Sequence, residues 1–144
     1  MGSEKMGQDE GAPFHCVNRR LIMQAHLNAA ERLFGGMLMA WVDESAALFT
    51  MELIGSTRIV TKKISEVIFE EPAYPGDILE FRFRVGDIGR TSVTLECQVI
   101  ARSLGDRGKD RLILGCDVVF VALDRNGRPS PHGLTLEAAR ARGC

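Results

Sequence analysis

The feature that most constrains this chain is its longest apolar stretch, residues 33–54, which has no proline and has glycine only near its start, at Gly35-Gly36. Such a run of helix formers, followed by Gly55 where a left-handed cap belongs, predicts one long helix over residues 34–54. Asp43-Glu44 interrupt the middle of the stretch, so it reads as a buried helix and not as a membrane span. Met37, Leu38, Met39, Trp41, Val42, Leu48, Phe49 and Met51 spread nearly all round the helix. That distribution predicts a helix enclosed by other structure.

The remaining segments supply the enclosure. Leu79, Phe81, Phe83 and Val85 alternate with Glu80, Arg82 and Arg84, and Val93, Leu95, Cys97 and Val99 alternate with Thr94, Glu96 and Gln98. A period of two marks strands with one buried and one wet face, and residues 86–90 between them carry the residues of a hairpin turn. Residues 112–123 are apolar on both alternating faces except at Asp117, as expected of a central strand with the helix on one side and a partner on the other. Residues 58–69 read as a further strand ended by Pro72 and Pro75-Gly76, and a weaker strand is expected at 19–25. Residues 103–111 and 124–133 read as loops. The resulting order is a short strand, a long helix and four strands, hence an α+β fold with a curved antiparallel sheet around one helix.

A chain of 144 residues with 45% hydrophobic and 26% charged residues suits one globular domain. Residues 1–14 read as a flexible tail, 15–134 as the domain and 135–144 as a C-terminal tail able to add a helical turn. Eighteen Lys and Arg balance nineteen Asp and Glu, which leaves no basic footprint for nucleic acid. Cys16, Cys97, Cys116 and Cys144 form no C-x2-C pair, so reduced thiols in a cytoplasm are expected and no zinc site is. The N-terminus lacks the pattern of a signal peptide. His15, His26 and His132 have no metal-ligand spacing, and no dinucleotide fingerprint, P-loop or nucleophile elbow occurs.

Asp43 is the most informative residue, because an ionised carboxylate in an apolar helix costs several kcal/mol to bury unless it is paired or hydrogen-bonded. Helical spacing sets Gly36, Ala40, Asp43 and Ala47 on one stripe, leaving room beside the carboxylate. A salt bridge or a solvent-facing position would explain Asp43 equally well. Asn28 precedes the helix, and an Asn there is by itself more often a turn or cap residue than part of a site. Gly35-Gly36 cost stability at a helix start, which points either to backbone amides kept open for an oxyanion or to close packing. Gly89-Arg90-Thr91-Ser92 offers a cation and two hydroxyls suited to phosphate, and also suits an ordinary hairpin turn. Lys62-Lys63 add charge on what reads as a solvated strand.

Taken together, Asn28 with Phe34-Gly35-Gly36 and Asp43, Val60-Thr61, Phe69-Glu70-Glu71-Pro72, Pro75-Gly76-Asp77, Gly89-Arg90-Thr91-Ser92 and Val121-Ala122-Leu123-Asp124 resemble the hotdog-fold acyl-CoA thioester hydrolases of the bacterial short-chain and brain-type group. The likeness spans roughly residues 20–132. It implies dimers, commonly assembled into hexamers, with sites at the dimer interface that draw Asp43 and Asn28 from opposite subunits. It also implies that Gly89, Arg90, Thr91 and Ser92, with Thr61 and Lys63, hold CoA. The chain departs from the family at Glu31, where glycine is usual in N-x-x-G, and at His26-Leu27, where a proline-aspartate lead-in is common. Both departures fall in the entrance loop and bear on substrate choice.

The expected function is therefore acyl-CoA thioester hydrolysis, with Asp43 as base or nucleophile, Asn28 orienting water or the carbonyl, and the Gly36 amide as oxyanion donor. No cofactor is expected, since CoA belongs to the substrate. A noncatalytic acyl-CoA binding or sensing module is the alternative, and the presence of both Asn28 and Asp43 argues against it. A hotdog hydratase would need a histidine acting with a carboxylate, for which His26 is the only candidate.

Overall fold

The computed structural model describes residues 12–102, 104 and 108–142. Helix α1 spans Gly35–Ile54 and ends on Gly55, whose φ of +81° lets its amide donate to the Met51 carbonyl at 2.7 Å. The left-handed cap expected from the sequence is thus formed. Five strands are present among the described residues: β1 His15–Leu21, β2 Ile59–Phe69, β3 Ile78–Ile88, β4 Ser92–Arg102 and β5 Arg111–Ala122. They form one sheet in the order β1-β3-β4-β5-β2, with every pairing antiparallel. A second helix, α2 at Leu136–Arg142, packs on β3 and buries Ala139 completely. This is the α+β hotdog architecture, a sheet curved around one long helix.

The alternation in β3 and β4 does what its period requires. Leu79, Phe81, Phe83, Val93, Leu95 and Val99 are fully buried, and they share one core with Leu38, Trp41, Val42, Ala46 and Phe49 of α1. Each such side chain contributes roughly 1.5–3 kcal/mol. The opposite face of the sheet is charged. There Glu80, only 3% exposed, accepts from Arg19, Arg82 and Arg102, and buried Arg84 pairs with Glu96.

Three features differ from the sequence reading. The first strand lies at His15–Leu21, earlier than expected, because its inward residues include polar Asn18 and Arg20 and a bulge between Cys16 and Asn18 breaks the alternation. Gly86 is not in a turn. It sits at a bulge inside β3, where the register shifts between Val85 and Asp87, and the strand runs on to Ile88. Finally, within one chain the sheet covers only one side of α1: Gly36, Ala40, Glu44 and Leu48 form an exposed stripe, with Leu48 52% exposed. The strand β5 is central, between β4 and β2, as expected.

Candidate active site

Leu38, Trp41, Val42, Ser45 and Phe49 turn one face of α1 into the core, which leaves Asp43 half-buried at the margin of the exposed stripe. Its Oδ1 accepts a hydrogen bond of 2.7 Å from Thr61 Oγ1. The partner is a hydroxyl and not a cation, so this contact orients the carboxyl group without forming an ion pair. Thr61 lies on β2, an edge strand of the sheet. The same edge exposes Val60, Ile68 and Phe69, an unpaired apolar margin of the kind that pairs with another chain.

The start of α1 carries no side-chain cap. Its first intrahelical bond is Leu38 N–H to the Phe34 carbonyl at 3.1 Å, so the Gly35, Gly36 and Met37 amides precede the ladder. Phe34 crowds the place a Gly36 Cβ would occupy, at 3.3 Å, and Phe69 lies 3.7 Å from that of Gly35. Both glycines thus allow close packing while leaving amides at the positive end of the helix dipole.

Asn28 occupies a tight turn just before this helix. Its carbonyl accepts from Glu31 N–H at 3.0 Å, its amide donates to the Arg32 carbonyl at 2.8 Å, and its Oδ1 accepts from the Ala30 and Arg32 amides. The turn-forming role considered for Asn28 is therefore real, and it engages Oδ1, leaving Nδ2 as the group able to donate outward. Glu31 completes the turn at φ +61°, the left-handed position that favours glycine. The same turn recurs at residues 124–128, where Asp124 makes the equivalent bonds to Asn126, Gly127 and Arg128 and Gly127 takes the left-handed position at φ +79°. The loop is fastened at its far end by Leu33 N–H to the Ala73 carbonyl and Phe34 N–H to the His26 carbonyl, both 2.9 Å. The His26 ring accepts from Met23 N–H through Nδ1 and meets Trp41 edge-on at 4.9 Å.

Gly89, Arg90, Thr91 and Ser92 form the turn between β3 and β4. Gly89 N–H donates to the Ser92 carbonyl at 3.0 Å, and a Cβ on Gly89 would collide with Ser92 Oγ. Ser92 faces Val121, which faces Val60 beside Thr61. Two strand spacings, roughly 10 Å, therefore separate the Arg90 turn from the Thr61 strand at one end of the sheet. Arg90 and Lys63 are exposed. The structure thus brings Thr61 to Asp43, while Asn28 and Gly36 belong to the other end of the helix's first two turns. The Thr61 contact spans 18 residues and has no local signature. Among the described residues, no group of three His, Cys, Asp or Glu side chains is placed to hold a metal.

Residues 31–106 match the Thioesterase superfamily, and the chain belongs to that family. Among its relatives, an uncharacterized acyl-CoA thioester hydrolase of Zymomonas mobilis is 33% identical over 111 residues, covering 77% of this chain and 73% of that protein. The acyl-CoA thioester hydrolase YciA of Salmonella typhimurium is 32% identical over 120 residues, covering 80% and 87%. Among solved structures, an aspartate-to-alanine mutant of HI0827, a hexameric broad-specificity acyl-coenzyme A thioesterase, superposes with a TM-score of 0.81 at 25% identity, covering 90% of this chain and 96% of that one. An acyl-CoA hydrolase from Staphylococcus aureus in complex with butyryl coenzyme A and coenzyme A gives a TM-score of 0.73 at 32% identity, covering 79% and 68%.

Proposed function

We propose that this protein hydrolyses the thioester of acyl-CoA to a free fatty acid and CoA, in a site built jointly by two subunits. One spacing carries the shared site. Gly36 and Asp43 are seven residues apart on α1, roughly 10 Å of axial rise. An oxyanion donor lies about 3 Å from the carbonyl oxygen, and a directly attacking carboxylate about 3–3.5 Å from the carbonyl carbon, a span shorter than this rise, so direct attack favours drawing the two groups from different chains. An antiparallel pairing of two β2 edges about their middle would bring the Asp43–Thr61 end of one copy beside the Gly35–Phe69 end of the other. Such a two-fold contact also covers Leu48 and the exposed β2 residues. The hexameric assembly of the HI0827 thioesterase supports a homo-oligomer of dimers here.

In this site Thr61 holds Asp43 Oδ1, and the carboxylate either activates a water or attacks the carbonyl itself to give a mixed anhydride, which water then hydrolyses to the free acid and the restored carboxylate. The Gly36 amide takes the charge that develops on the carbonyl oxygen, and Asn28 Nδ2 orients the water or carbonyl. The thioester C–S bond breaks, and the CoA thiolate leaves and takes up a proton. Single-turnover hydrolysis in oxygen-18 water separates the two routes, since label enters Asp43 only on the covalent one. Arg90, Thr91 and Ser92, with Gly89 shaping the turn and Lys63 nearby, bind the nucleotide phosphates. All parts come from the chain and water, so the reaction calls for no cofactor.

The domain carrying this chemistry is taken as residues 15–134. Cys97 and Cys116 face each other across β4 and β5 as free thiols, which fits a reducing cytoplasm, and release of a free fatty acid would fit a place in fatty acid metabolism. No helix among the described residues is long and apolar enough to cross a membrane. A panel of acyl-CoAs from acetyl to palmitoyl, assayed for thiol release, tests the reading. A protein that binds these acyl-CoAs without turnover would instead be the noncatalytic module. The hydratase alternative is disfavoured because the His26 ring is already committed to the Met23 amide and to Trp41.

A further inference from the structure

The sequence leaves His132 without a role, since it has no metal-ligand spacing, yet its ring and backbone both grip the Arg90 turn. His132 Nδ1 accepts from Leu134 N–H at 3.0 Å, which fixes the neutral tautomer with its proton on Nε2. That Nε2–H donates to the Ser92 carbonyl at 2.9 Å, across 40 residues of sequence. His132 N–H donates to the Arg90 carbonyl at 3.3 Å, and Ala122 N–H to the Thr91 carbonyl at 2.8 Å. The Arg90 and Thr91 carbonyls are thereby drawn toward residues 122–132, while the Ser92 carbonyl is shared between the His132 ring and the Gly89 amide across the hairpin. Because a peptide N–H lies trans to its carbonyl, the Thr91 and Ser92 amides point the opposite way. The Thr91 and Ser92 amides thus lie on the side away from the Arg90 and Thr91 carbonyls, in the same turn as exposed Arg90, a polarity that suits a phosphate.

We propose that His132 is a positioning residue for nucleotide-phosphate binding: it sets the Gly89, Arg90, Thr91 and Ser92 turn in its anion-facing orientation while taking no part at the thioester. The proposal rests on the reading of that turn as the CoA phosphate site. Its ring donor is the device. Losing one such bond from a part-buried carbonyl is worth about five- to tenfold in an equilibrium.

The test compares His132→Ala, His132→Gln and Arg90→Ala on an acyl-CoA and on the matching acyl-pantetheine, which has no nucleotide phosphates. His132→Ala should raise KM for acyl-CoA about five- to tenfold with kcat within about twofold, and should leave KM for acyl-pantetheine within about twofold. His132→Gln, which can still donate to the Ser92 carbonyl, should recover most of the loss, and it also serves if the alanine variant folds poorly. An equal loss on both substrates, or identical KM values for the alanine and glutamine variants, overturns the positioning role. If Arg90→Ala raises KM for acyl-CoA while His132→Ala does not, the proposal alone fails. If neither variant changes KM, the CoA reading of the turn fails and takes the proposal with it.

Discussion

Replacing Glu31 with glycine should make the protein more stable. Glu31 is exposed, so no buried contact is lost, and it sits at φ +61° in the turn that presents Asn28. A left-handed conformation costs an L-residue roughly 1–2 kcal/mol, whereas glycine gives back about 0.5–1 kcal/mol through its freer unfolded chain. The difference is a net gain of about 0.5–1 kcal/mol, or roughly 2–4 °C in Tm for a chain of this size. The twin turn provides an internal control. Gly127 holds the same position at φ +79°, so Gly127→Ala should lose about 1–2 kcal/mol. Glu31→Ala should gain nothing, since it removes the charge and keeps the strain. Urea and thermal unfolding at one fixed protein concentration measure all three. A Glu31→Gly protein that is no more stable than Glu31→Ala would refute the backbone argument.

Thr61→Val should lower kcat about 10- to 100-fold with little change in KM, because it frees Asp43 Oδ1 without touching CoA, and Thr61→Ser should restore most of the rate. A KM effect in place of a kcat effect would return Thr61 to the CoA site. Burial acts to raise the Glu80 carboxyl, but hydrogen bonds from Arg82, Arg102 and Arg19 outweigh it and hold it down at about 2, against an ordinary 4.5. Its contribution is therefore full above pH 4.5 and is lost as pH falls toward 2. Linkage sets a ceiling of about 3 kcal/mol, and screening of the three partly exposed arginines reduces it to about 1–2 kcal/mol. Glu80→Gln should flatten the fall in stability over that pH window, as followed by urea unfolding at stepped pH, and an unchanged slope would count against the cluster.

The parts of the fold legible in the sequence were those whose residues repeat at the period of their element. The Gly55 cap, the β3 and β4 alternation and the central place of β5 all follow from local pattern. The sequence reading misplaces β1 because its inward face carries Asn18, which donates to Ser45 Oγ, and Arg20, which lies over the Trp41 ring, instead of packing hydrocarbons. Gly86 looked like a turn residue because a glycine at the end of an alternating run has no local mark of its use; here it gives room to the Glu96 side chain, 3.2 Å from where a Cβ would stand. At the site, Asp43 was legible from its cost in an apolar helix. Its contact with Thr61 and the grip of His132 on Ser92 were not, since both join residues far apart in the chain through the curvature of the sheet. The strain at Glu31 was foreshadowed only as a departure from N-x-x-G, and the backbone angle supplies its physical meaning.

The central claim is that one active site takes Asp43 from one subunit and Asn28 from the other, and subunit mixing measures this directly. Asp43→Ala and Asn28→Ala proteins, each inactive alone and each folded, are mixed and allowed to exchange, with exchange confirmed by native mass spectrometry. Random pairing makes about half the dimers mixed, each with one of its two sites intact, so hydrolysis should return to about a quarter of the wild-type rate. Activity that stays at the level of the separate variants, despite demonstrated exchange, would contradict the shared site.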